Sequence, residues 1–403
     1  MKILVADRIS QAGVDRLRGL GCDVVCSPDL TGESLVRALV ESGCRILMVR
    51  GTKVTGEAIR ANRHLSLIVR VGAGYNSIDV PAASAASVMV ANCPGRNATA
   101  VAELTFGLIL ALDRRIPDNV ADLRAGKWAK KEYSKAPGLK GRTLGVVGVG
   151  RIGERVVLRA LAFEMNVVGW SRSLTPKAAS ELGMVRVETP EEVAARSDIV
   201  SVHLAANTDT NKLIGEEFFD AMKSGAYFVN TARAEVVDHE ALAQAVREKG
   251  LRVALDVFPN EPDAHDTVFK DSIVHLEGIV YGTHHIGAAT DQAQDAVADE
   301  AFEVVKEYSA TGSVRNCVNL SVGTSPKGVL VVRHRNRPGV LAHVLGELSR
   351  AGINVREMEN VICQGEEGAC AQIRLDSEPS SDVLTRIEKS DENILGLALT
   401  AAK

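Results

Sequence analysis

The chain has 403 residues, 46% of them hydrophobic and 24% charged, with a net charge of -4. That length exceeds what one hydrophobic core serves, so about two or three domains are expected, and the near-neutral balance gives no basic face for nucleic acid or an anionic membrane. Seven cysteines, an odd number without a C-x-x-C pair, speak against a disulfide framework or a zinc site, and no metal is expected.

Met1–Asp7 reads as a first strand rather than a signal peptide. The longest apolar run, around Leu104–Leu112, is too short to span a bilayer, so a cytoplasmic protein is expected. From Met1 to about Cys93, strands are predicted at Lys2–Ala6, Asp23–Cys26, Ile46–Val49, Leu67–Val71 and Val88–Ala91. Helices such as Gly13–Leu20 and Glu33–Ser42 fall between them, the pattern of a parallel sheet with helices on both faces. In such open sheets ligands sit beyond the carboxyl ends of the strands. Arg50, and Arg70, Gly72, Ala73 and Gly74 in the segment Arg70–Asp79, are therefore candidates for substrate contact. A solvated charge at Arg50 and a tight turn at Gly72 and Gly74 fit the same residues.

Asn97–Leu112 is predicted as a long helix, apolar nearly all round, to be buried against another domain or another subunit. A second α/β unit follows, to about Thr290. It opens with an apolar run, the turn Gly148-x-Gly150-x-x-Gly153, and a helix with Val156, Val157, Ala160 and Leu161 on one face. The first glycine permits the tight turn, the second lets backbone approach a pyrophosphate, and the third lets helix and strand pack closely. The helix N-terminus offers N–H groups and a positive dipole end, so Gly148, Gly150, Arg151, Ile152 and Gly153 are assigned to a dinucleotide. The next strand, Asn166–Trp170, ends in Ser171-Arg172-Ser173, where NAD-binding units carry an acid roughly twenty residues past the glycines. Two hydroxyls and an arginine suit a 2′-phosphate, and the cofactor is left as NAD or NADP.

Later strands at Ile199–His203, Tyr227–Asn230, Val253–Leu255 and Ile279–Tyr281 carry three loop clusters, Asn230–Asp238, Leu255–Pro262 and Gly282–Thr290. Together they hold an arginine, a carboxylate and a histidine. A hydroxyl proton needs a base that titrates near neutrality, a carboxylate fixes the tautomer of that base, and an arginine pairs with an acid substrate. Asp291–Tyr308 reads as a helix returning to the first domain. A boundary near Ser321–Gly328 precedes a tail predicted as strand Val329–Arg333, helix Val340–Arg350, strands Asn354–Ile362 and Gly368–Leu375, helix Ser381–Lys389 and strand Ile394–Thr400. The expected architecture is α/β: two Rossmann or flavodoxin-like doubly wound parallel sheets and a ferredoxin-like βαββαβ unit. The domains are placed at 1–96 with 291–318 (substrate binding), 97–290 (dinucleotide binding) and 326–403 (regulatory).

Over essentially its whole length the chain resembles the D-isomer-specific 2-hydroxyacid dehydrogenases, and within them the branch acting on 3-phosphoglycerate in serine synthesis. The motifs are Gly148-x-Gly150-x-x-Gly153, Ala232-Arg233, Asp256-Val257-Phe258-x-x-Glu261-Pro262 and His285-x-Gly287-x-x-Thr290. The resemblance implies that Arg233 binds the substrate carboxylate and carbonyl, that Glu261 pairs with the acid/base His285, and that Ala232 and Asp256 lie on the cofactor. It also implies that the Arg70–Asp79 backbone holds the carboxylate and that Arg50 meets the phosphate. His284 and Ala234 depart from the usual proline and glycine. The tail resembles an ACT domain, which implies an L-serine effector held by His334, Asn336 and Asn354 and a homo-oligomer, dimer or tetramer, paired through these modules. Two other readings remain: an NADPH-dependent hydroxypyruvate or glyoxylate reductase, and a non-catalytic NAD(P)(H)-sensing protein.

Overall fold

The computed structural model describes residues 1–9, 11–262, 268–320 and 326–401, and the chain divides into two compact units, Met1–Asn319 and Leu320–Lys403. Of the expected boundary Ser321–Gly328, residues 321–325 lie outside the described residues.

Five short apolar runs form the first sheet: β1 (Lys2–Val5), β2 (Asp23–Cys26), β3 (Ile46–Val49), β4 (Leu67–Arg70) and β5 (Met89–Ala91). They run parallel in the order β2-β1-β3-β4-β5. β3 reads Ile-Leu-Met-Val without alternation because both its faces are covered. Leu4, Leu35 and Leu47 fill one face and Ile3, Leu17 and Ile46 the other. The helix Asp291–Thr311 adds Val297, Ala301, Val304 and Val305 to that second face.

The second sheet holds β6 (Thr143–Val147), β7 (Asn166–Trp170), β8 (Val185–Arg186), β9 (Ile199–Val202), β10 (Tyr227–Asn230), β11 (Arg252–Leu255) and β12 (Val280–Gly282). Its order is β12-β11-β10-β9-β6-β7-β8. The direction of winding reverses at β6, between β7 and β9, where a ligand crevice opens at the carboxyl ends. The helix Ala98–Arg114 is buried at Ala102, Phe106, Ile109 and Leu112 among others. It packs on the helix Arg151–Ala162 and on β10 and β11. The partner expected from another domain or subunit is thus supplied within its own unit.

In the second unit, β13 (Gly328–Arg335), β14 (Val355–Ile362), β15 (Gly368–Leu375) and β16 (Ile394–Ala401) pair antiparallel in the order β14-β15-β13-β16. Val340, Val344 and Leu348 on one helix, and Val383 and Ile387 on the other, meet Leu330, Val332 and Ile373. This is the expected βαββαβ arrangement. No helix among the described residues is long and apolar enough to cross a membrane.

Candidate active site

The glycine turn leaves β6 at the switch point, with the Gly148 N–H donating to the Trp170 carbonyl at 2.8 Å and the His203 N–H to that of Val147 at 2.8 Å. Gly148 has φ 97, and a Cβ there would stand 2.5 Å from the His203 carbonyl oxygen. A Cβ on Gly153 would run into the Gly148 carbonyl, whereas one on Gly150 meets nothing within 4 Å. So two glycines are required by the protein's own backbone, and the middle one faces open space. Gly150, which has no side chain of its own to bond there, caps the helix Arg151–Ala162. The donor set and the cradle suit a pyrophosphate. The Arg151 guanidinium turns away from the turn, donates to the Pro94 carbonyl at 3.1 Å and lies against Gly95. Past β7, Arg172 pairs with Asp209 at 2.8 Å.

These contacts separate two substitutions. Gly148→Ala is expected to destabilise the fold by about 2–4 kcal/mol, from positive-φ strain plus overlap with fixed backbone. Gly150→Ala should leave stability within about 1 kcal/mol and weaken NADH about tenfold, because its methyl occupies the ligand's side. Thermal melts and a fluorescence titration distinguish the two.

Three loops meet beyond β10, β11 and β12. At the end of β10 the buried Asn230 amide accepts from the Ala232 N–H at 3.0 Å and donates to the Arg233 carbonyl at 2.9 Å, shaping the turn that presents Arg233. Asp256, 1% exposed, accepts from the Thr283 hydroxyl at 2.6 Å, the Ile286 N–H at 2.9 Å and the Gly287 N–H at 2.8 Å. One carboxylate therefore fastens the loop on both sides of His285. His285 itself has φ 51, a left-handed backbone that costs energy in a non-glycine residue and persists where neighbours hold it. Its Nδ1 lies 2.7 Å from Glu261 Oε2, while Glu261 Oε1 accepts from the Phe258 N–H at 2.9 Å. Burial works against ionisation of Glu261. The hydrogen bonds from His285 and Phe258, with the charges of His285 and Arg233, outweigh it and hold the carboxyl below its usual value.

Across the cleft, Gly72 and Gly74 make room for arginines. A Cβ on Gly72 would fall on the Arg70 guanidinium, and one on Gly74 on that of Arg233. Arg70 is largely buried, and its Nε has no partner. Burial, then the positive charges of Arg233 and Arg50, lower its pKa to about 10 against the pull of Asp7. Asp7, two residues past the end of β1, accepts from the N–H groups of Arg50 at 2.6 Å and Thr52 at 3.2 Å and so fixes the loop that carries Arg50. Arg50 and Arg233, from two loops, and Arg70, the last residue of β4, thus share one field of positive charge.

Residues 106–287 match the family model described as D-isomer specific 2-hydroxyacid dehydrogenase, NAD binding domain, and 328–359 match the ACT domain. The chain is 34% identical over 377 residues to a D-3-phosphoglycerate dehydrogenase of Methanocaldococcus jannaschii, covering 93% of this chain and 67% of that one. The chain belongs to the D-isomer-specific 2-hydroxyacid dehydrogenases. A Mycobacterium leprae D-3-phosphoglycerate dehydrogenase is 35% identical over 370 residues, covering 88% of this chain and 68% of its own. A solved NAD+-bound 3-phosphoglycerate dehydrogenase of Entamoeba histolytica superposes with a TM-score of 0.66 at 27% identity, over 80% of this chain and 99% of that one. The chain spans about two thirds of the length of the two curated relatives. As a member of this family it is a nicotinamide-dependent dehydrogenase.

Four residues of this dehydrogenase's site carry no motif of their own: Asp7, Asn97, Asp209 and Thr283. Asn97 starts the helix Ala98–Arg114, whose Val101 touches the Gly287 position, and its buried Oδ1 has no partner. The one sequence signal for Asp7 is its place as the first polar residue after an apolar strand.

In the ACT unit the three effector candidates have separate partners. His334 is 2% exposed, with Nδ1 2.9 Å from the Arg335 carbonyl and Nε2 3.0 Å from Asn360 Oδ1. The Asn336 amide donates to the Glu366 carbonyl at 3.0 Å, and the Asn354 backbone N–H donates to Asp376 at 3.0 Å.

Proposed function

We propose that this dehydrogenase oxidises D-3-phosphoglycerate to 3-phosphohydroxypyruvate, the entry to L-serine synthesis, using NAD or NADP. The observation that carries this reading is the convergence of Arg50, Arg70 and Arg233, of which Arg70 is largely buried, with no partner at its Nε. A cluster of like charges is unfavourable until anions enter it, and a substrate with a carboxylate at one end and a phosphate at the other supplies both. Glyoxylate and hydroxypyruvate bring only one anion. The names of the relatives support the same substrate.

The lobe 1–96 with 291–318 takes the acid and the lobe 97–290 takes the cofactor. Gly148, Gly150, Arg151, Ile152 and Gly153 hold its pyrophosphate, Ser171–Ser173 its adenosine ribose, and Ala232 lies toward its nicotinamide, while Asp256, buried and bonded to Thr283, Ile286 and Gly287, serves that side by fastening the loop. When bound, that ring supplies the acceptor for the hydride leaving C2. Arg233 grips the substrate carboxylate and C2 oxygen, and the Gly72–Gly74 backbone closes on the carboxylate. His285, with Nδ1–H donated to Glu261, takes the hydroxyl proton on Nε2 as the C2–O bond becomes a carbonyl. The ionised Glu261 stabilises the imidazolium so formed. The ACT match supports amino-acid regulation of a homo-oligomer, with L-serine as effector. Asn336 and Asn354 are both at the surface, Asn354 with its backbone N–H engaged in a bond to Asp376, and His334 has to release Asn360 first.

The test is oxidation of NADH and NADPH with 3-phosphohydroxypyruvate, hydroxypyruvate and glyoxylate, with and without L-serine. Arg50→Met should raise KM for the phosphorylated acid about 10- to 100-fold and leave hydroxypyruvate within about threefold. Equal loss for both acids would remove Arg50 from phosphate recognition. Preference for an unphosphorylated acid would overturn the substrate assignment.

A further inference from the structure

The end of β7 presents a contradiction: Ser171-Arg172-Ser173 is chemistry for a 2′-phosphate, in a family whose matching domain is described as NAD binding. The surroundings of Arg172 resolve it. The Gly148–Trp170 hydrogen bond sets Ser171–Ser173 beside the first glycine of the turn. The backbone of His203, after β9, passes the other side of that glycine. The loop 205–212 that follows brings Asp209 to Arg172, Nη1 to Oδ2 at 2.8 Å. Both side chains are exposed, 63% and 68%, so the pair contributes little to stability. What it changes is the charge offered to a ligand.

The two partners are not equally fixed. The Asp209 N–H donates to Asn207 Oδ1 at 2.9 Å, the Asn207 N–H to the Thr210 hydroxyl at 2.9 Å, and that hydroxyl to the Ala205 carbonyl at 2.6 Å. Thr210 is buried. The carboxylate thus stands on a turn locked by its own hydrogen bonds, none of which uses the Asp209 side chain. Arg172 reaches it on a long flexible stem.

We propose that Asp209 is a specificity-determining residue for the cofactor, and that through it the site selects NAD over NADP. A carboxylate here does the work of the acid missing from the end of β7: it accepts a ribose hydroxyl and repels a phosphate. It also neutralises Arg172, which a 2′-phosphate needs free. The argument rests on the cofactor site and not on the identity of the acid.

The experiment measures NADH and NADPH dissociation constants by nucleotide fluorescence without substrate, with 5′-AMP and 2′,5′-ADP as competitors. Wild type should bind NADH more tightly. Asp209→Asn, which leaves the turn's hydrogen bonds in place, should move the NADPH-to-NADH ratio about 5- to 10-fold toward NADPH, with 2′,5′-ADP gaining over 5′-AMP. Adding Arg172→Ala should erase that gain. Tighter NADPH binding by wild type, or a ratio within about twofold after Asp209→Asn, overturns the proposal. Binding of neither nucleotide overturns both it and the cofactor site, a result that a failed acid substrate would not produce.

Discussion

His285→Asn should lower kcat by about 10²- to 10⁴-fold, the usual contribution of a positioned acid/base, and leave the NADH dissociation constant within about twofold. Asparagine is the informative replacement because the backbone at this position is left-handed, with φ 51, and asparagine tolerates that conformation better than most residues. Its amide can still donate to Glu261, so the loop held by Asp256 keeps its anchors. What it lacks is a nitrogen lone pair of suitable basicity for the C2 hydroxyl. Stopped-flow turnover and a separate cofactor titration give the two numbers. Turnover within about threefold of wild type would remove His285 as the base, and His284 would be the next residue to replace. A joint loss of turnover and cofactor binding would mean instead that the loop had collapsed.

Much of this site was legible in the sequence, and the exceptions share a cause. The glycine turn is local: strand, turn and helix occupy consecutive residues, so spacing alone gives the geometry. The His285–Glu261 pair was legible through motif resemblance. Contacts set by topology were not. Asp7 and the Arg50 N–H are 43 residues apart and meet because β1 and β3 are neighbours. Arg172 and Asp209 are 37 apart and meet because β7 and β9 flank β6. Gly72 and Gly74 read as turn residues, yet what they accommodate is a guanidinium each, one of them from β10's loop in the other lobe. β8 escaped prediction for a different reason: two partly exposed residues carry no period. The inward face of His334 was missed because the predicted strand stops at Arg333, whereas β13 runs to Arg335 and carries the buried alternation of Leu330 and Val332 on to His334.

Arg233→Met should lower kcat about 10²- to 10³-fold, raise KM for the acid, and leave the melting temperature no lower than wild type. The catalytic loss follows from the place proposed for this guanidinium at the C2 oxygen, where a single well-placed donor has effects of that size. The stability follows from Arg70. Its lowered pKa, about 10, records burial and then the proximity of Arg233. The two guanidiniums repel each other unless an anion lies between them, and methionine fills much of the same volume against Gly74 without the charge. A doubly anionic substrate analogue tests the same point from the other side: it should raise the melting temperature of wild type by more than that of Arg233→Met, because only wild type has that repulsion to relieve. A variant that melts well below wild type would show that Arg233 supports the fold through its contacts with Ala232 and Gly74, and the cost of assembling the arginine cluster would then lie elsewhere.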